Sequence, residues 1–557
     1  MLYSESSEEH IKAVRDIENR ADKCIGHFQL TLLPTHLAIW TVLSTAIAII
    51  EEQQRQFQTT SPQFQAAMIN LGRHCPMLIR WLKMGSECHP PDDWLPVWNP
   101  SLGSIARADL ATVHNYDAFQ SNYPMWYRNR VHAECLEQSS VRFTVAGGFR
   151  ERQLSAYQKG LRPLEGVHKT VPGHPVEPTE AILKRYKRIL AEASSTEPFG
   201  FRYEHSYELA RRSFNKYLQR LNTFFRRSES LNLGGFSLAM FKRFYAALQA
   251  ICAMHDFLCF CWTKWGYLYP HSSALLIKRR SDWVKLLGDL AGLDGVVTER
   301  IVGDLTLSSK RLPDLHVYPF VPLEDAHSLL SVVPHFVLNA NPEDNILRVC
   351  SYHRPKAYDL LSNDKEATMR QTLREELKRF CCADPIDLPD GSTDIDLVIE
   401  DDASSTVVIS ELKWYRKPTT YRERLRADEQ FLDGVHRQLK TVKLYCREHP
   451  EFLWHRRALK RPLTEYRHVY FLLVARDHWI WVEPDDSTAV VDFEQFRAAI
   501  ARKETLLDAV SQLLTYEWLP VEGRDFHVRF DSRPVEDVRV ESEVFYGGPP
   551  PLVAGAI

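Results

Sequence analysis

The chain has 557 residues, 69 Lys and Arg against 72 Asp and Glu for a formal net charge of -3, and 44% hydrophobic residues with 23 Gly and 31 Pro. These proportions exclude collagen-like, coiled-coil and wholly disordered classes, and near neutrality leaves no global field to recruit nucleic acid or an anionic membrane. At about 100 to 200 residues per domain, the length allows about three to five folded units.

Residues 1–10 (MLYSESSEEH) are acidic and lead into no apolar core, so no secretory signal is expected. Residues 31–50 carry no Asp, Glu, Lys or Arg, and about 20 apolar residues would span a bilayer. Pro34, Thr35, His36, Thr41, Ser44 and Thr45 interrupt the run and Glu51 and Glu52 follow it, which favours a buried core helix and no membrane partner. The 11 cysteines are scattered through a chain too long to need stapling, which fits a reducing compartment and a cytoplasmic location. His74, Cys75, Cys88 and His89 form the nearest zinc-like grouping, but twelve residues separate the two adjacent pairs. Buried thiols and capping histidines are the simpler reading there.

Apolar residues recur at three- and four-residue spacing over 62–85, 178–195, 205–226 and 236–264, which predicts helices. Pro-rich connectors at 89–100 and 162–178 break that periodicity, because the residue before a proline resists helix. Between them, 140–146 (SVRFTVA) predicts one short strand. The Lys and Arg of 179–188 and 205–228 suit a solvated helix face as well as a nucleic-acid stripe. No phosphate-binding glycine loop, nucleophile elbow or zinc-protease motif occurs, so nothing before about residue 310 names a chemistry.

After Pro313 the texture changes to short apolar runs at 316–321 and 331–338, followed by a helix expected over 365–380. Residues 394–400 (DIDLVIE) and 406–414 (TVVISELKW) are rich in β-branched residues and joined by a small polar turn, so they predict a hairpin. A long basic helical stretch over 424–446 follows, then strands at 469–475 and 479–482, and a hairpin around 526–530 ahead of a Pro- and Gly-rich end. The expected organisation is a helical domain over 1–165, a second helical domain over 175–310, an α/β domain with a mixed central sheet over 311–520 and an extension over 521–557.

Strand alternation puts Asp394, Asp396, Val398 and Glu400 on one face of the first strand and Val407, Ile409, Glu411 and Lys413 on one face of the second. If Glu400 opposes Val407 across the turn, Asp396 falls opposite Glu411 and Asp394 opposite Lys413. Directly opposed Cβ atoms stand about 4.5 to 5.5 Å apart, so two carboxylates so placed require a compensating cation. Mg²⁺ or Mn²⁺ would serve, held by Asp396 and Glu411, with Lys413 beside an attacking water. The triplet alone carries little information, since Glu376, Leu377 and Lys378 repeat it inside a helix where residues two apart do not share a face.

An acid at the start of an apolar strand, a short turn, and ExK at the end of the next strand resemble the PD-(D/E)XK nuclease superfamily over about residues 360–485. The resemblance implies a restriction-endonuclease-like α/β fold and a metal-dependent nuclease. It also implies supporting roles for a Glu on the preceding helix and a Gln on the following one. Glu366 precedes Met369, Leu373 and Leu377 on one helical stripe, with Glu376 as runner-up, and Gln438 in DGVHRQLKTV has the later position. No Pro precedes the acid, and Asp394 competes with Asp396 for the role of ligand.

Residues 413–467 carry fifteen Lys and Arg against seven Asp and Glu, a surplus that would draw a phosphate backbone. Arg437, Lys440, Arg456, Arg457 and Lys460 are the candidate contacts, with Trp454 available for stacking. The expectation is a Mg²⁺- or Mn²⁺-dependent nuclease acting on DNA, with a helical region that targets, regulates or binds a protein partner, as in bacterial defence or DNA-processing systems. The alternative is an inactive nuclease-like scaffold that grips nucleic acid or a protein partner.

Overall fold

The computed structural model describes residues 8–59, 61–85, 99–128, 131–145, 180, 184, 207–223, 228–264, 274–308, 314–323, 328–383, 385–414, 421–476, 488–516, 521–524 and 526–547. The expected helix over 178–195, both Pro-rich connectors apart from Asn99 and Pro100, the strand at 479–482, and Cys88 and His89 therefore lie almost wholly outside the described residues.

The first half is helical: α1 (Glu8–Ala21), α2 (Thr35–Gln56), α3 (Pro62–Gly85) and α4 (Pro100–Tyr127) precede a hairpin of β1 (Val131–Glu137) and β2 (Ser140–Val145), then α5 (Tyr207–Leu221) and α6 (Leu238–Lys264). Every residue of α2 from Ala38 to Ala48 is buried, as expected of a helix apolar on all sides, and α2 packs on α3 and α4. Within α6, Leu238–Cys261 is long and apolar enough to cross a membrane, yet 78% of that window is buried inside the fold. Short elements follow: β3 (Leu276–Arg279), α7 (Arg280–Ala291), α8 (Gly295–Asp304), β4 (Val321–Pro322), β5 (Leu329–Val332), α9 (Pro334–Asn339) and α10 (Pro342–His353).

The C-terminal part carries a mixed sheet. It contains α11 (Pro355–Glu376), β6 (Cys381–Ala383), β7 (Ile386–Asp387), β8 (Asp394–Ile395), β9 (Leu397–Asp401), β10 (Thr406–Trp414), α12 (Tyr421–Asp433), a π-helical segment Gly434–Leu439, α13 (Lys440–Glu448), α14 (Phe452–His455), β11 (His468–Arg476), β12 (Thr488–Asp492), α15 (Phe493–Arg502), α16 (Leu506–Leu514), β13 (Phe526–Val535) and β14 (Val538–Gly547). The five-stranded sheet runs β12-β11-β10-β9-β6. β9 is antiparallel to β6 and β10, whereas β11 is parallel to both β10 and β12. Strand alternation divides its two faces: Val398, Val407, Ile409, Phe471 and Leu473 join one apolar core with Leu439 and Val442. Leu397, Ile399, Val408, Leu412 and Leu472 join another with Met369, Leu373 and Phe496.

Two boundaries expected from sequence do not follow the packing. One contiguous apolar core runs from Val14 to Leu361, so the segments on either side of 165–175 share an interior, and residues 314–361 belong with them. Val535, Val538 and Val540 join the same core, because β14 pairs in parallel with β2 and carries β13 on its far side. Residues 526–547 are thus a structural part of the helical body. The C-terminal lobe, 362–516, lies between body segments and is tied to them by the ion pair of Arg128 with Glu429 and by Lys365 Nζ at 3.5 Å from Glu343 Oε1.

Candidate active site

The hairpin has the expected register. Val407 pairs with Glu400, Ile409 with Val398 and Ser410 with Leu397. The ladder stops there, one step short of Asp396 and Glu411. At Asp396 the chain leaves the strand, and Asp394–Ile395 pairs instead with Ile386–Asp387, so Asp394 does not oppose Lys413 in a ladder. Ile395 accordingly packs in the same core as Val398, although alternation would have put it on the opposite face.

The break at Asp396 turns its carboxylate into the sheet end. Oδ2 accepts the Leu412 backbone N–H at 2.8 Å, and Oδ1 accepts from Arg370 Nη2 at 2.8 Å. Beside it, Lys413 Nζ stands 2.7 Å from Glu411 Oε1, while Glu411 Oε2 is buried with no hydrogen-bond partner. Asp396 and Glu411 are 6% and 2% exposed. Glu366 comes from α11, near the Trp414 backbone N–H and Lys413. The helix begins at Pro355, ten residues before the expected start, so Glu366 sits in its fourth turn, well away from the helix N-terminus. Trp414 fixes α11 on β10, with Lys365 Nζ 4.4 Å from its ring centroid and Arg476 at 4.1 Å. The runner-up Glu376 does not join the cluster, because it pairs with Arg497.

Three carboxylates thus face two cations, and burial penalises the excess negative charge. Burial, then the neighbouring Asp396, pushes Glu411 up to about 8. Burial lifts Glu366 to about 7, with Lys413 opposing the rise, and burial raises Asp396 against the Leu412 N–H and Lys413. Burial pulls Lys413 down, but Glu411, Glu366 and Asp396 outweigh it and raise its affinity for a proton. Lys413 is therefore an ammonium, suited to orient a water or donate to an oxyanion rather than to act as a base.

Among the described residues, no group of three or more His, Cys, Asp or Glu side chains is arranged to hold a metal ion. The donor set nonetheless fits a hard dication: Glu411 offers a buried orphan oxygen, its raised proton affinity marks a place where added positive charge is favourable, and Mg²⁺ requires only one or two carboxylates besides water and phosphate.

Gln438 is half-buried on the π-helical segment, which packs on β10 and β11. Such segments re-aim side chains and recur at functional sites. Arg437 and Lys440 are exposed at this side. Arg437 Nε and Nη2 lie 2.7 and 2.9 Å from the Asp433 carboxylate, and its charge is felt at Glu411. Arg456, Arg457 and Lys460 are exposed but do not join them. Lys460 pairs with Asp402, and Arg461 Nη2 donates to Ser405 Oγ at 3.1 Å, which puts this loop at the turn end of the hairpin. Six residues of β-strand separate Ser405 from Glu411, about 20 Å at 3.3 Å per residue. Arg370 is the residue that sequence reasoning missed; its position four after Glu366, on the same helical face, was the available signal.

No protein-family model, no curated protein and no solved structure matches this chain.

Proposed function

We propose that the C-terminal lobe is a divalent-cation-dependent nuclease of the PD-(D/E)XK kind, hydrolysing phosphodiester bonds in DNA. The observation that carries this reading is the meeting of Asp396, Glu411, Lys413 and Glu366 at one end of a mixed sheet, with Asp396 and Glu411 buried and the acids outnumbering their cations. The helix before the hairpin and the helices between β10 and β11 support this reading.

Asp396 and Glu411 would hold Mg²⁺ or Mn²⁺. Such a cation would offset charge developing on the phosphoryl oxygens and make an attacking water more acidic. Lys413, fixed by Glu411, orients that water and donates to a phosphoryl oxygen. Glu366 adds to the negative field that keeps Lys413 protonated, and Gln438 offers an amide from the adjoining segment. Arg437 and Lys440 supply phosphate contacts beside the site, and Arg456, Arg457 and Lys460 extend them along the lobe.

The test is cleavage of DNA with Mg²⁺ or Mn²⁺. Glu411→Gln and Lys413→Ala are each expected to lose activity by roughly a thousandfold while circular dichroism stays native. Retained cleavage by both variants would overturn the assignment. A second reading, a nuclease-like scaffold that only grips nucleic acid, is favoured by one fact: both Asp396 oxygens already accept hydrogen bonds. Mn²⁺ binding that disappears in Asp396→Asn would argue against it.

A further inference from the structure

Arg370 has no place in the mechanism above, yet it makes the shortest contact to Asp396 from outside the hairpin. Its Nη2 donates to Asp396 Oδ1 at 2.8 Å. The other Asp396 oxygen is taken by the backbone N–H of Leu412, a residue of the β10–β11 ladder. Oδ1 is therefore the oxygen that a divalent cation can claim without disturbing β10. The guanidinium is less firmly held than its position suggests: its Nε is buried and has no hydrogen-bond partner. The side chain is 21% exposed, so it has solvent to swing toward. It rises from α11 one turn after Glu366, whose carboxylate feels both Arg370 and Lys413.

We infer that Arg370 is a built-in competitor for the cation. It occupies Asp396 Oδ1 while no divalent ion is bound, must release that oxygen when one arrives, and is then free to contact the phosphate of a nucleic acid. This rests on the nuclease reading, and it adds a coupling between cation uptake and substrate grip. A guanidinium suits both states, because its planar fork bonds carboxylate and phosphate oxygens alike. Arg370 is on this view a positioning residue in the free protein and a substrate contact in the loaded one.

The test measures Mn²⁺ affinity by electron paramagnetic resonance or calorimetry on the full chain, without substrate. Arg370→Met keeps the aliphatic stem and removes the competitor, so Mn²⁺ should bind about tenfold tighter, the scale set by loss of one charged hydrogen bond. Arg370→Lys, which keeps a cation, should lie near wild type and covers the case in which the Met variant fails to fold. DNA affinity measured with Ca²⁺ present should fall in Arg370→Met and be largely restored in Arg370→Lys. A purely structural Arg370 would give Mn²⁺ affinity unchanged or weaker in the Met variant, and that result overturns the inference alone. Wild-type protein that takes up no Mn²⁺ overturns the nuclease reading and this inference with it.

Discussion

The ion-paired carboxylates buried in the helical body and the clustered ones beside Lys413 in the C-terminal lobe behave in opposite ways. In the body, Asp314 accepts from Arg348 Nη1 at 2.9 Å and from the His316 backbone N–H at 2.9 Å, and these partners with the His316 ring outweigh burial, so its proton affinity falls. Asp117 is likewise brought below its ordinary range by Arg73 and His74 in spite of burial. In the lobe, Glu366, Asp396 and Glu411 are all raised, because burial and mutual repulsion exceed what Lys413 and Arg370 return. Asp109 in the body is also raised by burial, but it stands apart from other acids and accepts the Gln29 and Leu30 N–H groups. A satisfied ion pair is a brace, whereas a cluster with too few cations is a site that stores affinity for one more.

The comparison makes its largest claim at Arg348, which is 5% exposed and lies 2.9 Å from Asp314 and 3.9 Å from Glu423. Arg348→Met strands buried carboxylates, and chemical denaturation should show a loss of about 3 to 5 kcal/mol. A loss under about 1 kcal/mol would show that these groups are not the brace proposed.

Glu411→Gln should move stability the other way. Glu411 binds its proton more tightly folded than unfolded, so between about pH 4.5, its ordinary range, and about 8 the folded state retains protons that the unfolded chain has lost. Stability from this group therefore falls as pH rises across that window, and the Gln variant is spared. In chelator, the melting temperature of Glu411→Gln minus that of wild type should increase from pH 5 to pH 8, and a gap that shrinks would contradict the excess-charge account. The smallest effect is expected at Arg437, an exposed residue bound to Asp433. Arg437→Ala should leave melting unchanged and reduce the slope of log DNA affinity against log salt by about one.

The lobe's side of this contrast was legible in the amino-acid order, and the exceptions have physical causes. Register follows from alternation and a short turn, so Glu400 opposite Val407 and the closeness of Asp396 to Glu411 could be read from the strands themselves. The exit of the chain at Asp396 could not, because it depends on Ile386–Asp387 competing for Asp394–Ile395 from outside the hairpin. Ser362, Asn363 and Asp364 favour caps and turns, which hid the first ten residues of α11. The shared core of the body was hidden for another reason: linker composition marks where a chain can bend but not what it packs against afterward. Arg370 was missed because a basic residue on a helix is most often solvated, and only its neighbours make it otherwise.

The pairing of β14 with β2 has a consequence for biosynthesis. Residues 140–145 leave the ribosome some 400 positions before 538–547 can join them, so the nascent body waits with an open sheet edge while the whole intervening lobe emerges. The lobe has every strand of its own sheet in hand before the body can close. Any catalytic capacity it possesses is thus assembled first, and the helical body is completed last.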